Sequence, residues 1–311
     1  MRGPSSPEWF VISRVPLGYS VITVDYGVMI MHIRIRKPLS GSIAAVCMLG
    51  TAALGFARET LPIVDTHVHY NVEARAVFDV RAVFEKFHDA GVIRAFVSST
   101  PDDGTLALYE GDRARIVPIL RPYRSPTDRA DWWRQDAVLE YVLTRLQRDV
   151  YGGIGEFHLW DPAQTKTVQL ERLVHEAVRR NLIMHVHSDA DPIRALYAVN
   201  PGVKILWAHA GMSAEPETIG RLLEQYPGLW IEVSLRAQDI APAGQLAIAW
   251  RDLFLRYPAR FMIGSDLWTT SRWSQYADII AEQRGWLAQL PREVAEQIAF
   301  RNAVRLISVQ E

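Results

Sequence analysis

From residue 61 onward, short apolar runs alternate with longer amphipathic ones, eight times over, and this rhythm constrains the fold more than any other feature of the chain. The apolar runs predict strands at 63–69, 93–98, 116–121, 153–158, 183–187, 203–209, 230–235 and 261–266. Helical patterns lie between them, at 81–90, 131–149, 167–180, 216–226 and 245–257. Several end in turn signals such as Ala90-Gly91 or Tyr226-Pro227-Gly228. Eight strand and helix units in about 250 residues match the count and length of an α/β (β/α)8 TIM barrel, read here as a single domain over 61–308. An open doubly wound sheet would carry a glycine-rich phosphate loop after its first strand, and HVHYNVEAR is not one. The last segment, 291–307, starts at a proline and reads as a terminal helix that covers the barrel.

The first sixty residues have a different character. From Met31 a basic start (Arg34, Arg36, Lys37) leads into a small and apolar stretch at 43–54, followed by Gly55 and Ala57. Residues 31–57 therefore predict a signal peptide, and the mature protein is expected to be periplasmic or secreted, with no stable membrane insertion after cleavage. Residues 1–30 read as an upstream extension, either translated from a start placed too early or disordered. The single cysteine, Cys47, lies in the apolar stretch and would leave with it. With 34 basic against 35 acidic residues and no long basic run, a nucleic-acid partner is not expected, and the predicted partner is a small molecule, with homo-oligomers left open.

The metal-binding residue types fall at the ends of the predicted strands. His67 and His69 end the first, at an i, i+2 spacing that puts both side chains on one face. Glu156 is near the end of the fourth, His185 and His187 end the fifth, His209 the sixth and Asp266 the eighth. In a barrel these carboxyl ends share one rim. Imidazole and carboxylate together suit zinc first, with manganese or iron as alternatives, and the lack of cysteine ligands argues against a closed structural zinc site. His88 and His175 lie on helices and read as surface or packing residues.

HVH at the end of the first strand, the fifth-strand histidine, the WAHAG histidine and the GSD aspartate together resemble the metal-dependent amidohydrolase superfamily, in its amidohydrolase-related branch. The resemblance spans about 61–308 and implies roles for each residue. His67, His69 and Asp266 would hold the more buried divalent metal. The fifth-strand histidine and His209 would hold a second ion or complete a one-metal site, and Glu156 would bridge two ions. Asp266 would be the general base and later the proton donor. His187, nearer the rim, is taken as the fifth-strand ligand, with His185 one layer deeper as a hydrogen-bonded barrel histidine.

A cation held by imidazoles and few carboxylates activates water and polarises a carbonyl or phosphoryl oxygen. The function expected is a metal-dependent hydrolase of an ester, lactone, amide or phosphoester bond. A decarboxylase, as in relatives of aminocarboxymuconate semialdehyde decarboxylase, is the rival, and a barrel that binds without turnover is a third reading. Arg121, His158, Arg236, Trp268 and Arg272 are the candidate substrate contacts, although exposed arginines also serve as surface ion-pair residues. Trp132 and Trp133 read as packing.

Overall fold

The computed structural model describes residues 11–15, 19–25, 30–36 and 60–308, and the chain divides into two compact units at Ala57 and Arg58. In the first unit, Val11–Val15, Tyr19–Asp25 and Ile30–Arg36 pair in that order as an antiparallel sheet. The expected export signal falls on this unit. Its residues 31–36 lie in the third strand, and residues 37–57, including Cys47, are outside the described residues.

The second unit carries eight strands: β1 (Ile63–Val68), β2 (Val92–Val97), β3 (Ile116–Leu120), β4 (Gly153–Leu159), β5 (Ile183–Ser188), β6 (Lys204–Trp207), β7 (Leu229–Glu232) and β8 (Phe261–Met262). All neighbours are parallel and follow sequence order, so each strand crosses over to the next through helix on the outside. The first and last strands meet, because Thr66 N donates to Ile263 O at 2.8 Å and Asp266 N to His67 O at 2.7 Å. These contacts bring the ends of the sheet together as a (β/α)8 barrel.

Two helices show how the sequence forms them. Val168–Arg179 buries Leu170, Leu173, Val174 and Ala177, a 3.6-residue stripe, and the Thr167 hydroxyl caps its first turn by accepting from Leu170 N. In Val80–Asp89 the stripe is Val83 and Phe87, with Asp79 as the cap. Helices Asp103–Gly111, Ala190–Val199 and Tyr276–Leu287 complete the alternation at places where the sequence pattern is weaker. Asp103–Gly111 carries glycine near both ends, and Ala190–Val199 has a proline in its first turn, both of which resemble loop sequence.

The closing segment begins at Pro291 as expected and runs through helical turns to Asn302–Ser308. Its Ala303, Leu306 and Ile307 pack with Val64, Phe96, Val117, Ile119, Ile183, Leu206 and Met262. The strand residues of this cluster precede the site histidines and carboxylates along the chain, and the cluster is apolar throughout. Among the described residues no helix is long and apolar enough to cross a membrane.

Strands β6, β7 and β8 are shorter than expected, and each stops where a polar residue turns off the ladder. Ala208–Gly211 forms a tight turn after β6, with His209 at φ 56°. After β7 the Ser234 amide turns to the Glu232 side chain, and Leu235 takes φ 62°. After β8 the Ser265 amide donates to Asp65 Oδ1 at 3.0 Å, and Asp266 takes φ 51°. Left-handed backbone at non-glycine residues costs roughly 1 kcal/mol or more and concentrates at functional sites.

Candidate metal centre

The carboxyl ends of β1, β4, β5, β6 and β8 bring His67, His69, Glu156, His187, His209 and Asp266 together, as their positions predicted. His67 Nε2 and His69 Nε2 lie 3.0 Å apart. Asp266 Oδ1 is 3.2 Å from His69 Nε2 and 3.5 Å from His67 Nε2. Glu156 Oε1 is 3.4 Å from His209 Nε2 and 3.6 Å from His67 Nε2, and its Oε2 is 3.3 Å from His69 Nε2. His187 reaches the same Oε1 through Nδ1 at 2.9 Å. Apart from His187, which is partly exposed, all are buried.

The other ring nitrogens settle the tautomers. His67 Nδ1 donates to Glu232 Oε2 at 2.8 Å, and His69 Nδ1 donates to the Ser98 carbonyl in a short hydrogen bond. The Ser234 hydroxyl donates to Glu232 Oε2 at 3.0 Å, so its oxygen is left to accept from His209 Nδ1 at 2.8 Å. The three rings then turn their Nε2 atoms inward, facing two carboxylates. Two carboxylates and three inward ring nitrogens at one point suit a cation, and the donor set fits a divalent metal. Burial opposes charge on His67, but Asp266, Glu156 and Glu232 outweigh it and hold its pKa well above the ordinary value. Burial opposes the charge on Glu156 and Asp266, but His67 and its neighbours outweigh it and hold both carboxyls below the usual range.

His185 lies one layer deeper, as expected, with its ring 4.4 Å from that of His67. Its Nε2 is buried and has no hydrogen-bond partner among the described residues, so the expected hydrogen-bonded histidine is not found at that atom. Burial, reinforced by His67, holds its pKa well below the ordinary value. Close to it, Gly155 takes φ 136°, and a side chain there would run into the His185 backbone.

Over the cluster opens a cavity of about 680 Å³. Of the expected substrate contacts, Arg121, His158 and Trp268 line it. Trp268 stands 58% exposed at its edge, free to touch a ligand. The His158 amide donates to Tyr123 Oη at 2.9 Å, and the Tyr123 hydroxyl donates to His158 Nδ1 at 3.0 Å, which leaves Nε2–H as the ring's donor. Burial pushes the His158 pKa down to about 2 against the pull of Glu156, with His187, Arg121 and Arg129 adding to the fall, so the ring is neutral at physiological pH. Trp132 is buried against Phe157, in the packing role expected of it, and His88 and His175 are on the surface.

Two arginines expected to hold substrate are spent elsewhere. Arg236 is buried and donates to the carbonyls of His209, Ala210 and Ala214 at 3.1 to 3.3 Å, while pairing with Asp239 at 2.6 Å. It fixes the left-handed turn that carries His209. Arg272 donates to the Asp266 carbonyl at 2.6 Å and the Ser265 carbonyl at 2.5 Å, and does the same for the turn that carries Asp266. Neither lines the cavity. Sequence position alone put both near the rim, but carbonyls freed by the ending strands needed donors, and the guanidinium groups supply them. Arg272→Ala is accordingly expected to weaken retention of a divalent metal about tenfold, an effect measurable by competition with a chelator. A purely substrate-binding arginine would leave metal retention unchanged.

Arg121 has a mixed place. It lines the cavity, yet its Nη2 pairs with Glu156 Oε2 at 2.8 Å and its Nε donates to the Glu156 carbonyl at 3.0 Å. Sequence reasoning missed Glu232, Ser234, Asp65 and Tyr123. A carboxylate inside an apolar run was the available signal for Glu232 (LWIEV) and Asp65 (PIVDT). Asp65 accepts from the His67 and Ser265 amides, the Ser265 hydroxyl and the Tyr276 hydroxyl, and so ties β1 to the end of β8. Burial raises its pKa to about 6 against these hydrogen bonds.

The family model for amidohydrolases matches residues 144–309. Among solved structures, the chain resembles a probable 2-pyrone-4,6-dicarboxylic acid hydrolase of Acinetobacter baumannii with citric acid bound, at 15% identity and TM-score 0.56, covering 80% of this chain and 100% of that one. It also resembles a candidate hydrolase of the same description from Pseudomonas putida (14%, TM-score 0.58, 80% and 98% covered). A third is an amidohydrolase of Burkholderia multivorans with bound HEPES (15%, TM-score 0.53, 79% and 99% covered). At these identities the likeness shows the fold. No curated protein matches the sequence. With the family model spanning more than half of the chain, the protein belongs to the amidohydrolase superfamily of enzymes, in its amidohydrolase-2 branch.

Proposed function

We propose that this chain is a metal-dependent hydrolase of a small molecule, cleaving an ester, lactone, amide or phosphoester bond. The observation that carries this reading is the convergence of the His67, His69 and His209 Nε2 atoms on Asp266 and Glu156, with each Nδ1 already hydrogen-bonded behind its ring. A bound divalent metal, zinc by preference, would supply Lewis-acid activation of water and of the substrate oxygen.

The chain's own groups do the rest. Asp266 stays ionised beside His67 and His69 and lines the cavity, placed to take a proton from the attacking water and return it to the leaving group. His158, neutral and donating from Nε2, is suited to hold a substrate oxygen. Tyr123 and Trp268 give the cavity wall flat apolar surface.

Glu156 is less suited to bridging two ions than its sequence position suggested. Arg121 already supplies the counter-charge at its Oε2. One ion per barrel is the stoichiometry that follows, measured by elemental analysis of the zinc-loaded protein. Removing it with a chelator is expected to abolish turnover, and two tightly held ions would contradict the role given to Arg121.

The Arg121–Glu156 pair also keeps a second reading, a one-metal decarboxylase. The two separate in a screen of lactones, esters, amides and phosphoesters against carboxylated aromatic acids, with and without chelator. Chelator-insensitive activity would defeat both. Export to the periplasm or beyond remains our proposal from residues 31–57, tested by amino-terminal sequencing of the protein recovered from each compartment.

A further inference from the structure

Behind the converging Nε2 atoms lies a carboxylate that does not line the cavity. Glu232, at the end of β7, is fully buried. Its Oε2 accepts the Nδ1 proton of His67 at 2.8 Å and the Ser234 hydroxyl at 3.0 Å. The hydroxyl oxygen in turn accepts the Nδ1 proton of His209 at 2.8 Å, and the His209 amide points to the same Oε2 at 3.2 Å. A carboxylate of β7 thus takes up the ring protons of a β1 histidine directly and of a histidine after β6 through one serine. The fold makes room for it at Gly264, where a methyl group would drive into the Glu232 carboxylate.

We propose that Glu232, relayed by Ser234, is the positioning residue that sets the tautomers of both His67 and His209. A neutral imidazole that donates from Nδ1 presents a lone pair at Nε2, the atom that each ring turns toward Asp266 or Glu156. Without an acceptor behind them, the two rings would be free to carry the proton on Nε2, which places it among the donors that should hold the cation. His69 is independent of this device, because its Nδ1 is held by the Ser98 carbonyl.

The inference rests on the metal reading for its consequence, but the tautomers belong to the chain itself. The test is ring nitrogen-15 NMR of the full chain, metal-free and zinc-loaded, together with zinc affinity by chelator competition. In the wild type, His67, His69 and His209 are expected to be protonated on Nδ1. Glu232→Gln sets an amide NH2 among the donors of Ser234 and the histidines. It should shift the His67 and His209 ring signals toward mixed tautomers, leave those of His69 in place, and weaken zinc binding about 10- to 100-fold.

Ser234→Ala, the milder change, should move the His209 signals more than those of His67, whose Nδ1 lies 3.5 Å from the Ser234 hydroxyl but keeps Glu232, and it decides the matter if Glu232→Gln does not fold. Unchanged tautomers in the folded variants, or an equal shift at His69, would overturn the proposal. A wild type that binds no zinc would sink the metal reading instead, and the ring signals would still test this one.

Discussion

Asp266→Asn is expected to lower turnover about 10²- to 10⁴-fold while the divalent metal is still bound, the range associated with a positioned proton-transfer group. Asparagine keeps the shape and one oxygen for the cation but cannot take a proton. The measurement pairs kcat, on whichever substrate class the screen identifies, with metal content of the same preparation. Loss of both in parallel would reduce Asp266 to a ligand. Retention of both would remove it from the reaction. The residue sits at φ 51°, anchored by its own amide on the His67 carbonyl and by Arg272 on its carbonyl, so the side chain is aimed by backbone contacts that the substitution leaves intact.

The second large effect concerns stability. Arg121→Ala removes the guanidinium from a buried carboxylate and leaves Glu156 to its histidine neighbours alone, a change that costs about 3 to 5 kcal/mol where a buried charge loses its counter-ion. For a barrel of this size the melting midpoint should fall by roughly 6 to 20 °C in the metal-free protein. Saturating zinc is expected to recover part of the loss, since a ligand that binds only the folded state stabilises it. Thermal unfolding with and without zinc reads both. An unchanged midpoint would mean that Glu156 is balanced by the histidines alone, and a large drop without recovery would place Glu156 out of the cation's reach.

Much of this protein was legible along the chain because its signals are local. The β1 to β5 runs were found within one or two residues, since a strand covered on both faces reads as a continuous apolar segment. The ends of β6, β7 and β8 were overextended. There the apolar sequence continues, but side chains and turning backbone take over the hydrogen bonds, and composition does not record who bonds to whom. Arg236 and Arg272 were misjudged for the same reason: a cation near the rim and a cation spent on the rim's carbonyls are written identically.

By itself, the sequence determined the eightfold alternation and, through it, which histidines and carboxylates share a rim, because strand period and strand order fix where carboxyl ends lie. Only the tertiary structure decided what each of those groups is free to do. Arg121 occupies one oxygen of Glu156, Glu232 takes the ring protons behind His67 and His209, and His185 is left beneath them. Those pairings join residues of different strands, and distances of about 3 Å between them are set by how the barrel closes rather than by any spacing along the chain.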